Sequence, residues 1–210
     1  MATVHPPRRA RRARTSAPAD DRDFDIEEPV ILFHQMTSDQ FCGLPECEQF
    51  DLELLDGAVV MASKPVPAHQ YLLAQLVAVL VYWVKTHQLG RILIDTLMKL
   101  DGKWTPAPDL VFLKTAHLKR VRRKRIVGPV DLAVEILSPS SKTIDWKTKF
   151  ATYARFGIAW YWILDLEQRV LEEYELAGGK YQCVDSVAFD QPFAPRLFPG
   201  LTIDLASLEW

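Results

Sequence analysis

The longest run of helical periodicity lies between Ala68 and His87, where Leu72, Leu73, Leu76, Val77, Leu80, Val81 and Val84 recur at three- and four-residue intervals. This spacing predicts one long, largely buried helix ending at Gly90. On either side the pattern changes to that of strands. Phe50 to Leu55 and Ala58 to Met61 flank Asp56-Gly57, a two-residue turn that predicts a hairpin. Arg91 to Asp95 and Leu97 to Leu100 give short strands before the Asp101-Gly102 turn. Two apolar runs follow, Leu110-Val111-Phe112-Leu113 and Leu132-Ala133-Val134-Glu135-Ile136-Leu137. Ser138-Pro139-Ser140-Ser141 stops the second, because proline cannot continue a ladder. Residues 145–156 then read as a helix closed by Gly157, and Ile158 to Leu164 as an aromatic strand with Trp160 and Trp162 on one face, where core or interface packing outweighs base stacking. Val170 to Leu176 and Tyr181 to Val184, joined at Gly178-Gly179, form a second hairpin, and the tail from Phe198 to Trp210 is expected across a sheet edge. Near the start, Thr37 to Phe41 reads as a capped short helix before Pro45. The order is long helix, three strands, helix, strand, with hairpins added at both ends.

Composition narrows the class. The chain has 210 residues, 49% of them hydrophobic, enough to bury one sizeable core. Residues 1–28 are rich in Arg, Ala, Pro and Asp without apolar periodicity and are expected to be a disordered arginine-rich arm; residues 29–210 are expected to form a single domain. No apolar run reaches the roughly 18 residues free of polar interruption that a spanning helix needs, and the start is not signal-like, so the expectation is a soluble, cytoplasmic protein without a membrane partner. Cys42, Cys47 and Cys183 are too scattered for a disulfide framework or a cysteine zinc site.

The net charge of -2 conceals segregation. Residues 1–19 hold Arg8, Arg9, Arg11, Arg12 and Arg14, and residues 114–125 hold Lys114, Lys119, Arg120, Arg122, Arg123, Lys124 and Arg125, with no acid in either stretch. These are 12 of 25 basic residues, so the other 179 residues carry 13 basic against 27 acidic side chains, a formal charge of -14. Positive charge gathers where an anionic polymer could be gripped. The first stretch reads more simply as a solvated tail, and the second serves equally as an exposed loop.

Two acids interrupt the apolar strands. Asp109 follows Pro108 at the head of one, and Glu135 is the sole charge in the other. Removing an ionised carboxylate from water costs several kcal/mol unless a cation or hydrogen bonds compensate. Lys149, in Asp145-Trp146-Lys147-Thr148-Lys149, is the nearby ammonium, and the two carboxylates could together hold a divalent metal. Taken alone, Asp109 could be a strand-initiating acceptor, and Glu135 could form a buried salt bridge to Lys149 without catalysis. Ser138 and Ser140 have a proline between them and no flanking glycines, which argues against a nucleophile elbow; they are expected to end the strand and cap the next helix.

The ordered set of pieces resembles the PD-(D/E)XK nuclease superfamily and, more closely, the Uma-two family of restriction-endonuclease-like proteins. The resemblance rests on Glu53-Leu54-Leu55-Asp56-Gly57, His69-Gln70, Pro108-Asp109-Leu110-Val111-Phe112, the run from Gly128 to Ser140, Asp145 with Lys149 and Tyr153, and Trp160 to Asp165, spanning roughly residues 36–176. It implies an α/β fold with a restriction-endonuclease-like mixed sheet core, and a metal-dependent endonuclease hydrolysing DNA phosphodiesters. Asp109, Glu135 and the Ile136 carbonyl would bind Mg2+ or Mn2+, with Asp109, Glu135 and Lys149 catalytic. Glu53, His69, Asp145 and Tyr153 would be accessory, with capping or packing preferred for His69, and Lys119, Arg120, Arg122, Arg123, Lys124 and Arg125 would contact phosphates. A homodimer would supply two sites for a double-strand cut. The chain departs from the superfamily in two places. Leu137 stands where the superfamily lysine is expected, so Lys149 must replace it from the next helix, and Ala58 stands where relatives place a glutamate. The alternatives are a catalytically silent nucleic-acid-binding domain and a metal-dependent phosphohydrolase acting on RNA or small nucleotides.

Overall fold

The computed structural model describes residues 29–33, 35–45, 47, 49–138 and 142–208. The arm expected over residues 1–28 lies outside them, as does Ser140. Strands β1 (Val30–Phe33), β2 (Phe50–Leu55) and β3 (Ala58–Ser63) form a small antiparallel sheet in the order β1-β3-β2. The predicted hairpin is present. Asp56 and Gly57 take φ of 50° and 78°, the left-handed pair whose twist matches that of the flanking strands. Helix α1 (Ser38–Phe41) is capped by Thr37 in a reciprocal box: Thr37 Oγ1 accepts from the Gln40 N–H while Gln40 Oε1 accepts from the Thr37 N–H.

Helix α2 (Pro67–Thr86) leads into β4 (Gly90–Ile94), β5 (Met98–Lys99), β6 (Leu110–Lys114), β7 (Ile126–Val127) and β8 (Leu132–Leu137). π-Helical turns over Ile144–Lys149 and helix α3 (Phe150–Arg155) precede β9 (Trp160–Asp165), β10 (Val170–Ala177), β11 (Lys180–Ala188), β12 (Pro192–Phe193) and β13 (Ile203–Asp204). The main sheet has the order β11-β10-β9-β8-β6-β4 and is mixed: β8 and β9 run parallel, every other neighbouring pair antiparallel. The parallel step from β8 to β9 is long enough to carry α3 over one face of the sheet.

Side-chain alternation divides the core. On one face Phe112, Val134 and Trp162 meet Leu72, Leu76 and Leu80 of α2. On the other, Val111, Ala133, Leu137 and Ile163 meet Tyr153 of α3. Glu135 shares the second face by its two-residue spacing from Ala133 and Leu137. Trp162 is buried as expected, and its Nε1 donates to Glu173 Oε1 at 3.1 Å.

Three expectations are corrected. Helix α2 ends at Thr86 with His87 as its cap, and Gln88, at φ 53°, makes the left-handed step expected of Gly90. Gly90 belongs to β4, where a Cβ would stand 1.9 Å from the Leu113 carbonyl oxygen, so close strand approach requires the glycine. Nor is α2 largely buried. It is apolar and long enough by composition to cross a bilayer, and it seats one stripe on the sheet while Tyr71, Val81 and Tyr82 face outward. The tail does not lie across an edge: Phe198, Leu201, Ile203, Leu205 and Leu208 are buried beside α2 and complete its core, because five large apolar groups gain more from a covered face than from a sheet margin.

Candidate active site

The sheet register brings the two strand acids together. Leu110 pairs with Val134 and Val111 with Ala133, so in an antiparallel ladder Asp109 falls across from Glu135, one step beyond the last pair. Asp109 Oδ2 accepts the Ile136 N–H at 2.7 Å, which fixes the head of β6 against the end of β8. Glu135 is only 3% exposed; its Oε1 accepts from the Tyr153 hydroxyl at 2.8 Å and its Oε2 lies 3.1 Å from Lys149 Nζ. Lys149 and Tyr153 reach the same carboxylate because they are four residues apart on continuous helical turns.

Lys149 is the hub. Besides Glu135, its Nζ lies 3.0 Å from Glu53 Oε1 and 3.0 Å from Asp145 Oδ1. Glu53 arrives from the small sheet on β2 and also accepts the Ala107 N–H at 2.7 Å, tying the hairpin to the segment that leads into Asp109. Three carboxylates around one ammonium leave an excess of negative charge in a buried place. Burial pushes the Glu135 carboxyl well above the usual range, and the neighbouring Asp145, Asp109 and Glu53 add to the rise against Lys149. Burial likewise raises Glu53. For Lys149 burial acts downward, yet Asp145, Glu135 and Glu53 together outweigh it and hold the ammonium well above its ordinary value.

His69, from the first turn of α2, packs against Asp109. It is 3% exposed, with Nε2 3.3 Å from Asp109 Oδ2, while its Nδ1 is buried with no well-aligned hydrogen-bond partner among the described residues. Burial opposes its charge, but Asp109 and the Ile136 carbonyl outweigh burial and raise the ring's pKa. All the sequence-nominated acids, Lys149, Tyr153 and His69 therefore converge. Among the described residues no three His, Cys, Asp or Glu side chains form a ready metal cage. The oxygen donors that could hold a cation are those of Asp109 and Glu135 with main-chain carbonyls beside them.

The site opens into a groove of about 1540 Å3, whose lining includes Glu53, His69, Asp109, Glu135 and Lys149 together with Arg122, Arg123, Lys124 and Arg125. The loop cations divide by role. Arg123 and Lys124 are exposed and have no acidic partner among the described residues. Arg122 donates to the Lys119 carbonyl, and Arg120, away from the groove, donates to the Pro129 carbonyl and braces the loop. Lys119 is exposed outside the groove lining. Two participants escaped sequence reasoning. Tyr161 donates to the Asp145 carbonyl at 3.3 Å, supporting the π-helical turns from below, and Lys64, paired with Asp51, lines the groove. Alternation with Trp160 and Trp162 already put Tyr161 on the opposite face, which is the face of Glu135.

Comparison with known proteins agrees with the fold. A family model, Uma2, described as "Putative restriction endonuclease", matches residues 38–206. Among solved structures, the chain is similar to a putative nuclease belonging to DUF820 from Anabaena variabilis, at 22% identity and a TM-score of 0.66, over 82% of this chain and 98% of that one. At that identity the likeness speaks to the fold. No curated protein matches the chain.

Proposed function

The chain belongs to the Uma2 family, and from that premise we propose that it is a metal-dependent endonuclease that hydrolyses DNA phosphodiester bonds. The observation that carries this reading is the convergence, in one groove, of Asp109, Glu135 and Lys149 with the exposed cations Arg123 and Lys124. The donor set fits a hard divalent cation in kind, since every donor is oxygen, and in charge, since Glu53, Glu135 and Asp145 surround the single Lys149 ammonium and Asp109 stands beside Glu135. Asp109, Glu135 and the Ile136 carbonyl would hold Mg2+ or Mn2+, which when bound polarises a phosphoryl oxygen and makes water more acidic.

The chain's own groups supply the rest. Tyr153 holds Glu135 by its hydroxyl, so the carboxylate keeps one orientation. His69 and the Ile136 N–H hold Asp109 in the same way. Lys149, kept charged by its acidic neighbours, orients the attacking water or stabilises charge growing on the phosphate. Glu53 and Asp145 position that ammonium. The basic loop would grip backbone phosphates without reading bases. A homodimer would place one site on each strand for a double-strand cut.

The complete pairing of Lys149 also favours a second reading, a silent nucleic-acid-binding domain in which the ion cluster only holds the fold together. Supercoiled plasmid incubated with Mg2+ or Mn2+ separates the two. The endonuclease nicks or linearises it, chelation stops the reaction, and Glu135→Ala abolishes it. Intact plasmid with a folded wild-type protein that still binds DNA would establish the silent domain instead.

A further inference from the structure

At the rim of the groove, two cations from different segments aim at one point. Strands β5 and β7 pair in parallel, Met98 with Ile126 and Lys99 with Val127, and this short ladder fixes Lys99 beside the end of the basic loop, where Arg125 precedes Ile126. Backbone bonds from the Ile126 N–H to Leu97 O and from the Gly128 N–H to Lys99 O lock the spacing. Lys99 Nζ lies 2.6 Å from Asp39 Oδ1, and Arg125 Nη2 lies 3.4 Å from the same oxygen. Helix α1 brings Asp39 there, since the Ser38 N–H donates to Gly102 O and the Ser38 hydroxyl to Asp101 O.

The three partners differ in exposure. The side chain of Asp39 is 73% exposed, whereas those of Lys99 and Arg125 are 19% and 30% exposed. The cations are thus packed in place and the acid is the loose member. An exposed ion pair holds by little. A phosphate presents the same oxyanion geometry with more oxygens and more charge.

We propose that Lys99 and Arg125 form a phosphate-binding site at the groove rim, and that in the unliganded protein the carboxylate of Asp39 occupies it. Asp39 is then a built-in competitor that lowers affinity for anions until a phosphodiester displaces it. That the displacing phosphate belongs to DNA rests on the function proposed above; the anion site itself does not.

The test is Asp39→Asn, which keeps shape and removes charge, measured in the full chain with two probes in the presence of a chelator. The first is a fluorescently labelled duplex titrated at several salt concentrations. The variant is expected to bind several-fold more tightly at low salt and to steepen the salt dependence by about 1 to 2, because each freed cation adds a slope of roughly 0.9. In a Lys99→Gln, Arg125→Gln background Asp39→Asn should change nothing, and Asp39→Glu should resemble wild type. An unchanged slope, or the same gain in the doubly substituted background, would overturn the proposal, the latter by exposing a mere net-charge effect. The second probe is inorganic phosphate followed by melting temperature. Asp39→Asn should gain a phosphate-dependent rise that Lys99→Gln removes. A phosphate response without duplex binding sinks the DNA reading and upholds the site; no response to either probe sinks the site.

Discussion

Among single side chains, Lys149 bears the largest electrostatic load, with three carboxylates within 3.1 Å of one buried ammonium. Lys149→Met removes the cation and leaves buried acids uncompensated, so the fold should lose about 3 to 5 kcal/mol as well as its cleavage activity. Denaturant unfolding measures the loss, and adding Asp145→Asn should restore part of it because the two residues share one network. A loss below about 1 kcal/mol would mean the cluster is hydrated and loosely held. His69 offers a test by pH. Its folded pKa is raised above the ordinary 6.5, burial being outweighed by Asp109 and the Ile136 carbonyl. Protonation therefore favours the folded state: the contribution is full below the unfolded value and fades as pH climbs through the raised folded one. The stability gap between wild type and His69→Gln should be widest below about pH 6 and narrow through neutral and mildly alkaline pH. A gap that stays constant from acid to alkaline pH would show that the ring is neutral throughout.

Elements explain which parts of this site could be read in the sequence. The pair Asp109 and Glu135 was legible because each stands against a continuous apolar strand, and strand register did the rest. Lys149 was legible as the ammonium that soon follows the Glu135 strand and through the family resemblance, while Leu137, where the superfamily lysine would stand, is buried in the apolar cluster beneath α3. Glu53 entered only through family resemblance, since nothing local shows that a hairpin on a separate sheet will meet a helix almost a hundred residues later. The π-helical turns had no sequence signature; they depend on the Phe150 N–H reaching back to the Asp145 carbonyl, which Tyr161 also engages. Gly90 misled for a related reason, as a glycine after an apolar helix suits a helix cap and a crowded strand equally well. The two roles separate experimentally. Ala at a mere left-handed cap would cost about 1 to 2 kcal/mol, whereas in β4 its Cβ meets the Leu113 carbonyl, and Gly90→Ala should cost about 3 kcal/mol or more in thermal or denaturant unfolding. A near-neutral substitution would contradict the observed approach of β4 and β6.

Across the whole molecule, charge is sorted more finely than the sequence run of basic residues implies. The six loop cations from Lys119 to Arg125 look equivalent in sequence, yet only Arg122, Arg123, Lys124 and Arg125 line the groove that leads to Glu135. Arg120 is spent on the Pro129 carbonyl, and Arg125 is shared with Asp39. Counterion release makes the distinction measurable, because only a cation that meets a phosphate contributes to the salt dependence of binding. Replacing Arg122, Arg123 and Lys124 together by Gln should weaken duplex binding and flatten its logarithmic salt slope by about 2.7, at roughly 0.9 per contact. Replacing Lys119 and Arg120 by Gln removes two charges of the same sign from the same loop, yet should leave the slope nearly unchanged. The second variant should lose stability instead, by about 1 kcal/mol for the hydrogen bond to Pro129. If both variants flatten the slope in proportion to the charge removed, the loop acts as an undirected positive cloud, and the groove does not set the path of the DNA.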